Sequence, residues 1–515
     1  MPLLLLLLAA VAFSQPADPR LISNGTVIPD ESYADQPYIV KTDDGAWLCV
    51  MTTGPGAEGA GGQHVISLRS TDRGKTWDKA VDVEPNDGPE ASYAVLLKAD
   101  SGRIYVFYNH NTDNIRQVIG DNPPYKDGFV RRVDSLGHFV FKYSDDHGRS
   151  WSNRRYDIPQ RDFEIDRQNP YQGKLKFFWN VGKAFRFNGA GYVPLHKVGG
   201  FGRGFFTRSE GVLLRSPNIL TEPDPAKITW ETLPEGDKGI RAPAGGGPIA
   251  EEQSFAVLSD GAIFCVFRTI DGSSAYTYSR DGARNWEPAK YMPFKHPRAA
   301  NFVWKTANGK YLYWFHNHGG KDYADRNPVW MSGGKETNGP NGRVIEWGPP
   351  EILLYDHDPA VRMSYPDLVE EQGRYYITET QKEIARVHEI DARLLEALWS
   401  RTPVRPVDGI TIDMYVELPD AKPGQVLRSG PGVVLQTAEN NAFSIILSDG
   451  RTINRWDSDP GTLLPGKRQH LLVRVDNGPK IITFMIDGKF NDGGAARQFG
   501  WGRYSPNLRL SKDFK

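Results

Sequence analysis

Apolar and polar positions alternate along most of the chain in short runs, as expected for β-strands joined by tight turns. One arrangement recurs six times: an apolar run, a turn that ends in glycine, and a second run rich in aromatic residues. The turn glycines are Gly45, Gly102, Gly189, Gly261, Gly309 and Gly373. Successive copies lie 48 to 87 residues apart, which suits one four-stranded sheet per copy with loops of variable length. The pattern therefore predicts six sheets built on one plan.

The fourth copy shows how such a hairpin positions polar side chains. Residues 255–258 and 262–267 are the two apolar strands, and Asp260-Gly261 is a strong signal for the tight turn between them. Because the two strands are of similar length and antiparallel, Glu252 and Arg268 at their far ends come near each other. The sequence thus places a carboxylate and a guanidinium together at the open end of a hairpin.

A second repeated element falls between the hairpins. Residues 70–77 and 144–151 share the pattern Ser-x-Asp-x-Gly-x-Thr/Ser-Trp, and 279–286 is a copy in which Ala283 replaces the glycine. In such a turn the aspartate accepts backbone N–H bonds while the tryptophan packs between neighbouring sheets. Together with the hairpins, these turns predict a six-bladed β-propeller over residues 20–388.

The pattern changes after the last hairpin. Residues 389–399 have apolar side chains at helical spacing, and two prolines follow, so 389–407 is predicted to be a helix and a linker. From residue 408 to 515 apolar and polar residues alternate again, which predicts β-strands. A strand that begins with His470, followed by one that ends in Asp487-Gly-Lys489, resembles a β-sandwich of the jelly-roll type. The predicted fold class is therefore all-β, a six-bladed β-propeller followed by a β-sandwich.

Composition and charge exclude several classes of function. The formal net charge is −1, so no overall field recruits nucleic acid or an anionic membrane surface. The two cysteines, Cys49 and Cys265, lie within apolar strands and are interpreted as buried thiols. No metal-ligand spacing and no glycine-rich phosphate loop stands out, so no cofactor or metal is expected. We expect the protein to act as a monomer.

The first residues indicate a targeting segment. Residues 3–11 form an apolar run of signal-peptide length, and small residues at 12 and 14 suit a signal peptidase, so residues 1–14 are predicted to be removed. No later apolar run reaches the length needed to span a membrane. We expect a secreted protein, extracellular or periplasmic, with no membrane insertion.

The repeated turns are of the kind called Asp-boxes or BNR repeats, and the chain resembles the sialidase (neuraminidase) superfamily of β-propellers. Members of that family bring a tyrosine nucleophile, a glutamate that polarises it, an acid and three arginines to the propeller mouth. The resemblance implies that Tyr365 is the nucleophile, Glu252 its partner, and Arg268 and Arg326 ligands of a substrate carboxylate. It implies a sialidase-type glycosidase that cleaves terminal sialic acid, or a related acidic sugar, from glycans.

A tyrosine nucleophile has a physical rationale when the anomeric carbon of the substrate already bears a carboxylate. A charged carboxylate nucleophile is repelled by that group, whereas a neutral phenol activated by Glu252 is not. Arg268 and Arg326 suit the substrate carboxylate because a guanidinium forms bidentate, charge-assisted hydrogen bonds.

The first predicted blade departs from the family pattern. The segment Tyr33-Ala-Asp-Gln-Pro37 has no arginine where the family has the first of its three, and Gln36 is the predicted substrate-binding residue there. The family's acid, an aspartate, is also missing. His64 is the first candidate for that role and Glu58 the second, since both follow the first hairpin.

Two other functions fit the same residues. A propeller polysaccharide lyase uses histidine and tyrosine to remove a proton next to a uronate carboxylate, and His110 with His64 and Tyr365 makes such a set. A non-catalytic propeller that binds glycan is the third possibility. Residues 408–515 resemble a concanavalin-like, or laminin-G-like, domain, whose role is either carbohydrate binding or structural support.

Overall fold

In a computed structural model the chain is described over residues 18–121, 126–132, 134–135, 137–202, 205–318, 323–491 and 501–511. The predicted leader, residues 1–14, lies outside these ranges. The described chain is all-β, with antiparallel sheets and few short helices. None of the helices in the described ranges is long and apolar enough to cross a membrane.

Residues 26–390 form six antiparallel sheets, numbered here in chain order. The short first strand, β1 (Thr26–Ile28), belongs to the last of them. Sheet 1 consists of β2 (Tyr33–Lys41), β3 (Trp47–Gly54), β4 (His64–Ser70) and β5 (Val81–Asp82). Sheet 2 consists of β6 (Ala91–Lys98), β7 (Ile104–His110), β10 (His138–Ser144) and β11 (Tyr156–Asp157), with a hairpin of β8 (Val118–Ile119) and β9 (Phe129–Val130) inserted before β10.

The next two sheets follow the same order. Sheet 3 consists of β12 (Phe177–Trp179), β13 (Phe185–Phe187), β14 (Ala190–Gly202), β15 (Phe205–Ser216) and β16 (Glu231–Leu233). Two short strands, β12 and β13, take the place of a single first strand in this sheet, because both pair with β14. Sheet 4 consists of β17 (Glu251–Val257), β18 (Ile263–Arg268), β19 (Ala275–Ser279) and β20 (Lys290–Tyr291).

The last two sheets bring the chain back to its beginning. Sheet 5 consists of β21 (Phe302–Lys305), β22 (Tyr311–Phe315), β23 (Val329–Gly339), β24 (Gly342–Trp347) and β25 (Glu351–Leu354). Sheet 6 consists of β26 (Leu368–Glu371), β27 (Arg374–Thr380), β28 (Ala385–Ile390) and β1. Since β1 pairs with β28, the start of the described chain supplies the fourth strand of the last sheet.

The six predicted hairpins are present. Each turn glycine lies between the first two strands of its sheet, except that Gly189 lies between β13 and β14 of sheet 3. Gly261 shows why the turn requires glycine: its φ is +83°, a left-handed conformation that is strained for other residues. The hairpin prediction is therefore confirmed for all six sheets.

The three repeated turns are equivalent, because each joins the third and fourth strands of its sheet. In the first, the Ser70 hydroxyl accepts from the Gly74 N–H at 2.8 Å and the Asp72 carboxylate accepts from the Thr76 N–H at 2.9 Å. The turns at 144–151 and 279–286 repeat both bonds. Trp151 of sheet 2 donates to Ser67 of sheet 1 at 2.9 Å, so this tryptophan joins neighbouring sheets as predicted.

Two helices have more than three residues in the described chain, α1 (Glu164–Arg167) and α2 (Ala392–Ser400). Single 3-10 turns occur at Ile22–Asn24, Pro225–Lys227 and Glu439–Asn441. The sequence predicted the second helix from residue 389, whereas β28 continues to Ile390 and the Asp391 carboxylate caps the helix by accepting from the Arg393 N–H.

The C-terminal region contains two further antiparallel sheets. Sheet 7 consists of β29 (Gly409–Val416), β34 (Gln469–Asp476), β35 (Ile481–Ile486), β36 (Lys489–Asn491) and β37 (Trp501–Arg503). Sheet 8 consists of β30 (Val426–Gly430), β31 (Val433–Ala438), β32 (Ala442–Ser448) and β33 (Ile453–Asp457). Buried side chains of both sheets form one hydrophobic cluster, which includes Val433, Phe443, Val473 and Phe484.

Polar contacts join the C-terminal region to the six sheets. Arg474 of β34 contacts Glu351 of β25 at 2.6 Å, and the Trp501 indole donates to the Asn317 carbonyl at 2.7 Å. Arg20, before β1, pairs with Asp476 at 2.7 Å. The two regions therefore pack directly on each other.

Candidate active site

Irregularities at the beginnings of the first strands create the site. The pairing of β2, β6 and β17 with their neighbours shifts register at Asp35/Tyr38, Ser92/Val95 and Glu251/Ser254. Each shift contains one left-handed residue, and a fourth lies just before β26; these residues are Gln36, Tyr93, Glu252 and Tyr365. A bulge of this kind changes the direction in which a side chain points. Four sheets thus present polar side chains at equivalent places.

Tyr365 and Glu252 come together, although they are 113 positions apart and on different sheets. The Tyr365 hydroxyl donates to Glu252 Oε1 at 2.8 Å. Their exposed fractions are only 2% and 1%. Burial raises the pKa of both groups, and the Glu252 carboxylate raises that of Tyr365 further. A raised glutamate pKa beside a phenol suits a group that takes and returns a proton.

Arg268 connects this pair to a second buried carboxylate. Its guanidinium lies 2.7 Å from Glu252 Oε1 and 2.6 Å from Glu251 Oε2. Arg298 also pairs with Glu251, through both of its carboxylate oxygens. Burial alone raises the pKa of Glu251, but the two arginines outweigh it and lower the value to about 2. Glu251 is therefore a fixed negative charge that holds Arg268 and Arg298.

Arg326 is buried beside this group with a different set of partners. Its guanidinium donates to the Ser364 hydroxyl and, at 2.9 Å, to the Tyr323 carbonyl. Among the described residues no carboxylate lies within ion-pair distance of it, and burial lowers its pKa. Arg268 Nη2 is also buried with no hydrogen-bond partner in the described chain. An unpaired buried cation is costly, so Arg326, together with the free Nη2 of Arg268, is a candidate place for an anion.

The other side of Tyr365 carries a salt-bridge network formed by three loops. Glu58 Oε1 lies 2.8 Å from Arg132 Nη2 and 3.4 Å from Lys382 Nζ, and it accepts from the Tyr93 hydroxyl at 3.3 Å. Burial raises the pKa of Glu58, but Lys382 and Arg132 outweigh it and hold the value well below its usual range. The side chains of Glu58, Arg132 and Lys382 are 26%, 22% and 17% exposed, so this network is the outer layer of the site.

Asp35 lies beneath that layer. Its Oδ2 accepts from the Tyr33 hydroxyl at 2.8 Å and from Lys382 Nζ at 2.7 Å, while its Oδ1 is buried with no hydrogen-bond partner in the described chain. The same Lys382 ammonium lies 4.2 Å from the centre of the Tyr365 ring. One lysine therefore joins Asp35 to the predicted nucleophile.

The structure places each predicted residue as follows. It brings Tyr365, Glu252, Arg268, Arg326 and Glu58 into one cluster. Gln36 is buried next to the cluster and donates to the Asn180 carbonyl at 3.3 Å, so its contact is with the backbone of another sheet. It is Asp35, its neighbour, that contacts Lys382.

The two predicted histidines have other neighbours. His64 Nε2 lies 3.7 Å from Glu31 and 3.5 Å from Asp82, which are largely exposed and are not members of the cluster. His110 Nδ1 lies 2.8 Å from the Thr112 hydroxyl, and burial lowers the pKa of His110 to about 4. Within the described ranges the chain also has no group of three or more His, Cys, Asp or Glu side chains suited to a metal ion.

Comparisons with known proteins give the fold. No protein-family model and no curated protein matches the chain. Among solved structures it is similar to the intramolecular trans-sialidase of Ruminococcus gnavus, in complex with oseltamivir carboxylate, at 13% identity and a TM-score of 0.51, covering 72% of this chain and 98% of that one. The chain has a sialidase-like fold.

Two further structures complete the comparison. The leech intramolecular trans-sialidase, complexed with 2,7-anhydro-Neu5Ac, is 13% identical with a TM-score of 0.50, and the match covers 71% of this chain and 69% of that one. A protein of unknown function from Dyadobacter fermentans is 15% identical with a TM-score of 0.48 over 71% and 98% of the two chains. At these identities the comparison establishes the sialidase-like fold, and the chemistry rests on the residues described above.

Proposed function

We propose that the protein is a glycosidase of sialidase type, which removes terminal sialic acid or a related acidic sugar from glycans. The observation that carries this proposal is the hydrogen bond from Tyr365 to Glu252 beside two arginines: Arg326, which has no carboxylate partner in the described chain, and Arg268, whose Nη2 is buried without a hydrogen-bond partner there. A nucleophile, its base and an anion site lie within one buried cluster.

The proposed reaction begins with the substrate carboxylate between Arg268 and Arg326. Arg268 Nη2 and the Arg326 guanidinium supply donors for it, and binding compensates the charge of Arg326. Bidentate contacts from a planar guanidinium also fix the orientation of the sugar ring. The anomeric carbon then faces the Tyr365 hydroxyl.

Glu252 takes the phenolic proton as the Tyr365 oxygen attacks the anomeric carbon. The bond to the leaving group breaks, its oxygen keeps the electron pair and takes a proton from an acid of the site, and a covalent glycosyl-tyrosine intermediate forms. Water then attacks the anomeric carbon and gives a proton to the same acid, now deprotonated, while the bond to Tyr365 breaks and Glu252 returns the proton to the tyrosine oxygen. Arg268 stays within 2.7 Å of Glu252 and stabilises its charged form.

We propose the finer architecture on the same basis. The six sheets are taken as the blades of one propeller, with β1 closing the ring by joining sheet 6. Sheets 7 and 8 are taken as a β-sandwich of the concanavalin-like type, because they share one hydrophobic cluster. The apolar run at residues 3–11 supports secretion. A glycan or glycoconjugate is the proposed partner.

The test is a substrate panel. The protein is incubated with sialyl glycans, other ulosonic glycosides and uronic glycans, while free sugar and the absorbance of unsaturated uronate are both followed. We expect free acidic sugar and no unsaturated product. Formation of unsaturated uronate instead would establish the lyase alternative, and the absence of any product from the whole panel would refute an enzymatic function of this type.

A further inference from the structure

A sialidase-type reaction needs a proton donor for the oxygen of the leaving group. Of the two donors predicted from the sequence, His64 contacts Glu31 and Asp82 instead of the cluster. Glu58 does belong to the cluster, but its ion pairs with Arg132 and Lys382 favour the carboxylate, which has no proton to give. The donor must be a different group.

Asp35 is another buried carboxyl group on this side of Tyr365, and within the described chain it has a free oxygen. It is fully buried, next to the bulge residue Gln36, and only one of its two oxygens is engaged. The engaged oxygen is bound by Tyr33 and by Lys382, whose ammonium lies over the ring of Tyr365. The free oxygen, Oδ1, is a buried polar atom that lacks a partner until a substrate supplies one.

We propose that Asp35 is the proton donor of this site, and that its carboxyl group protonates the leaving oxygen of the glycoside. This inference rests on the proposed function. In the first step the proton passes from Asp35 to the glycosidic oxygen, which keeps the electron pair of the broken C–O bond, while Tyr365 bonds to the anomeric carbon and its proton passes to Glu252. In the second step Asp35, now a carboxylate, takes a proton from the attacking water.

The surroundings of the carboxyl group agree with this role. Burial raises the pKa of Asp35, Lys382 opposes that effect, and the negative charge of Glu58 adds to it. The charged and titratable groups that face Asp35 are Glu58 on the loop after β3, Lys382 on the turn after β27, and four tyrosines. The tyrosines are Tyr33 and Tyr38 on its own strand, Tyr93 on β6 and Tyr365 before β26. Two neighbouring carboxyl groups with opposite shifts are the usual arrangement in which one is the acid and the other stays ionised.

The test compares Asp35→Asn with Glu58→Gln on two substrates of the wild type. One is a natural sialyl glycan, whose leaving group needs protonation; the other is the 4-methylumbelliferyl glycoside of the same sugar, whose leaving group departs without it. We expect Asp35→Asn to lower kcat/KM on the glycan by about 100-fold or more and on the aryl glycoside by less than about tenfold. Glu58→Gln should affect both substrates alike and move the basic limb of the pH profile to lower pH.

Each outcome decides the inference. If Glu58→Gln shows the loss that depends on the leaving group, Glu58 is the donor and the inference is wrong, whether or not Asp35→Asn folds. An equal loss on both substrates in a folded Asp35→Asn, judged by its Tm, also refutes the donor role while leaving the proposed function intact. If the wild type hydrolyses neither substrate, nor any glycoside of the panel above, the proposed function fails and the donor role fails with it.

Discussion

Arg326 and Arg298 are two buried arginines of one cluster. We expect the same substitution to destabilise the fold at Arg298 and to leave its stability nearly unchanged at Arg326. Arg298 pairs with Glu251, whereas within the described ranges Arg326 donates to the Ser364 hydroxyl and the Tyr323 carbonyl and has no carboxylate partner. Replacing each by methionine removes the charge and keeps most of the apolar volume. The two variants thus distinguish an arginine that stabilises the fold from one that binds an anion.

The expected magnitudes follow from what each substitution leaves behind. Arg326→Met loses two hydrogen bonds of about 1.5 to 3 kcal/mol each, but it also removes the several kcal/mol needed to bury an unpaired cation. The two effects nearly cancel, so the free energy of unfolding should stay within about 1 kcal/mol of the wild type. Arg298→Met leaves Glu251 with a single cationic partner, and breaking a buried pair costs about 3 to 5 kcal/mol.

Thermal and denaturant unfolding of both variants, with and without acetate as a small carboxylate, gives the comparison. Acetate should raise the Tm of the wild type and of Arg298→Met but not that of Arg326→Met, because the anion site requires Arg326. Sialidase activity should fall by about 100-fold or more in Arg326→Met, because two charge-assisted bonds to the substrate are together worth at least about 3 kcal/mol. A loss of more than about 2 kcal/mol of stability in Arg326→Met would show that the guanidinium is structural and would refute the reasoning.

Two further predictions concern stability. Ala283 has a φ of 73° at the position where the other two repeated turns have glycine, so Ala283→Gly should raise stability by about 1 kcal/mol in thermal unfolding. Gly148→Ala at the equivalent turn should lower it, since a Cβ there meets Leu48 at 2.4 Å; the opposite signs would contradict the explanation. Glu251 has its pKa lowered from 4.5 to about 2, so its contribution to stability is present above pH 4.5 and is lost as the pH falls toward 2. The stability difference between the wild type and Glu251→Gln should therefore shrink over that range, and a constant difference would exclude the ion pairs as its cause.

The sequence predicted the sheets well because each hairpin and turn is specified by residues that lie close together along the chain. A glycine at the end of a short polar turn between two apolar runs fixes a hairpin whatever surrounds it, as Gly261 does between β17 and β18. The same holds for the turn at 70–77, whose hydrogen bonds join residues only four positions apart. The pairing of Glu252 with Tyr365 was predictable for a different reason, since it rested on the resemblance to a family.

The rest of the cluster was missed because nothing local marks it. Asp35 and Lys382 are 347 positions apart, and only the closure of sheet 6 next to sheet 1 brings them together. Arg132 and Arg298 lie on loops, where an isolated arginine is usually a solvated surface group. One signal was present: Asp35 is an acidic residue within a mostly apolar strand, where an aspartate is rare without a buried partner.

The central claim is that Tyr365 becomes covalently bound to the sugar, and trapping the intermediate tests it most directly. An acidic sugar with fluorine next to the anomeric carbon and a fluoride leaving group slows the release of the sugar from the enzyme, so the labelled protein can be digested and its peptides weighed. The account predicts one added glycosyl group, located on Tyr365, and none in Tyr365→Phe. That variant should still fold, because loss of a hydrogen bond to a buried carboxylate costs about 1.5 to 3 kcal/mol. A label on another residue, or turnover in Tyr365→Phe equal to that of the wild type, would contradict it.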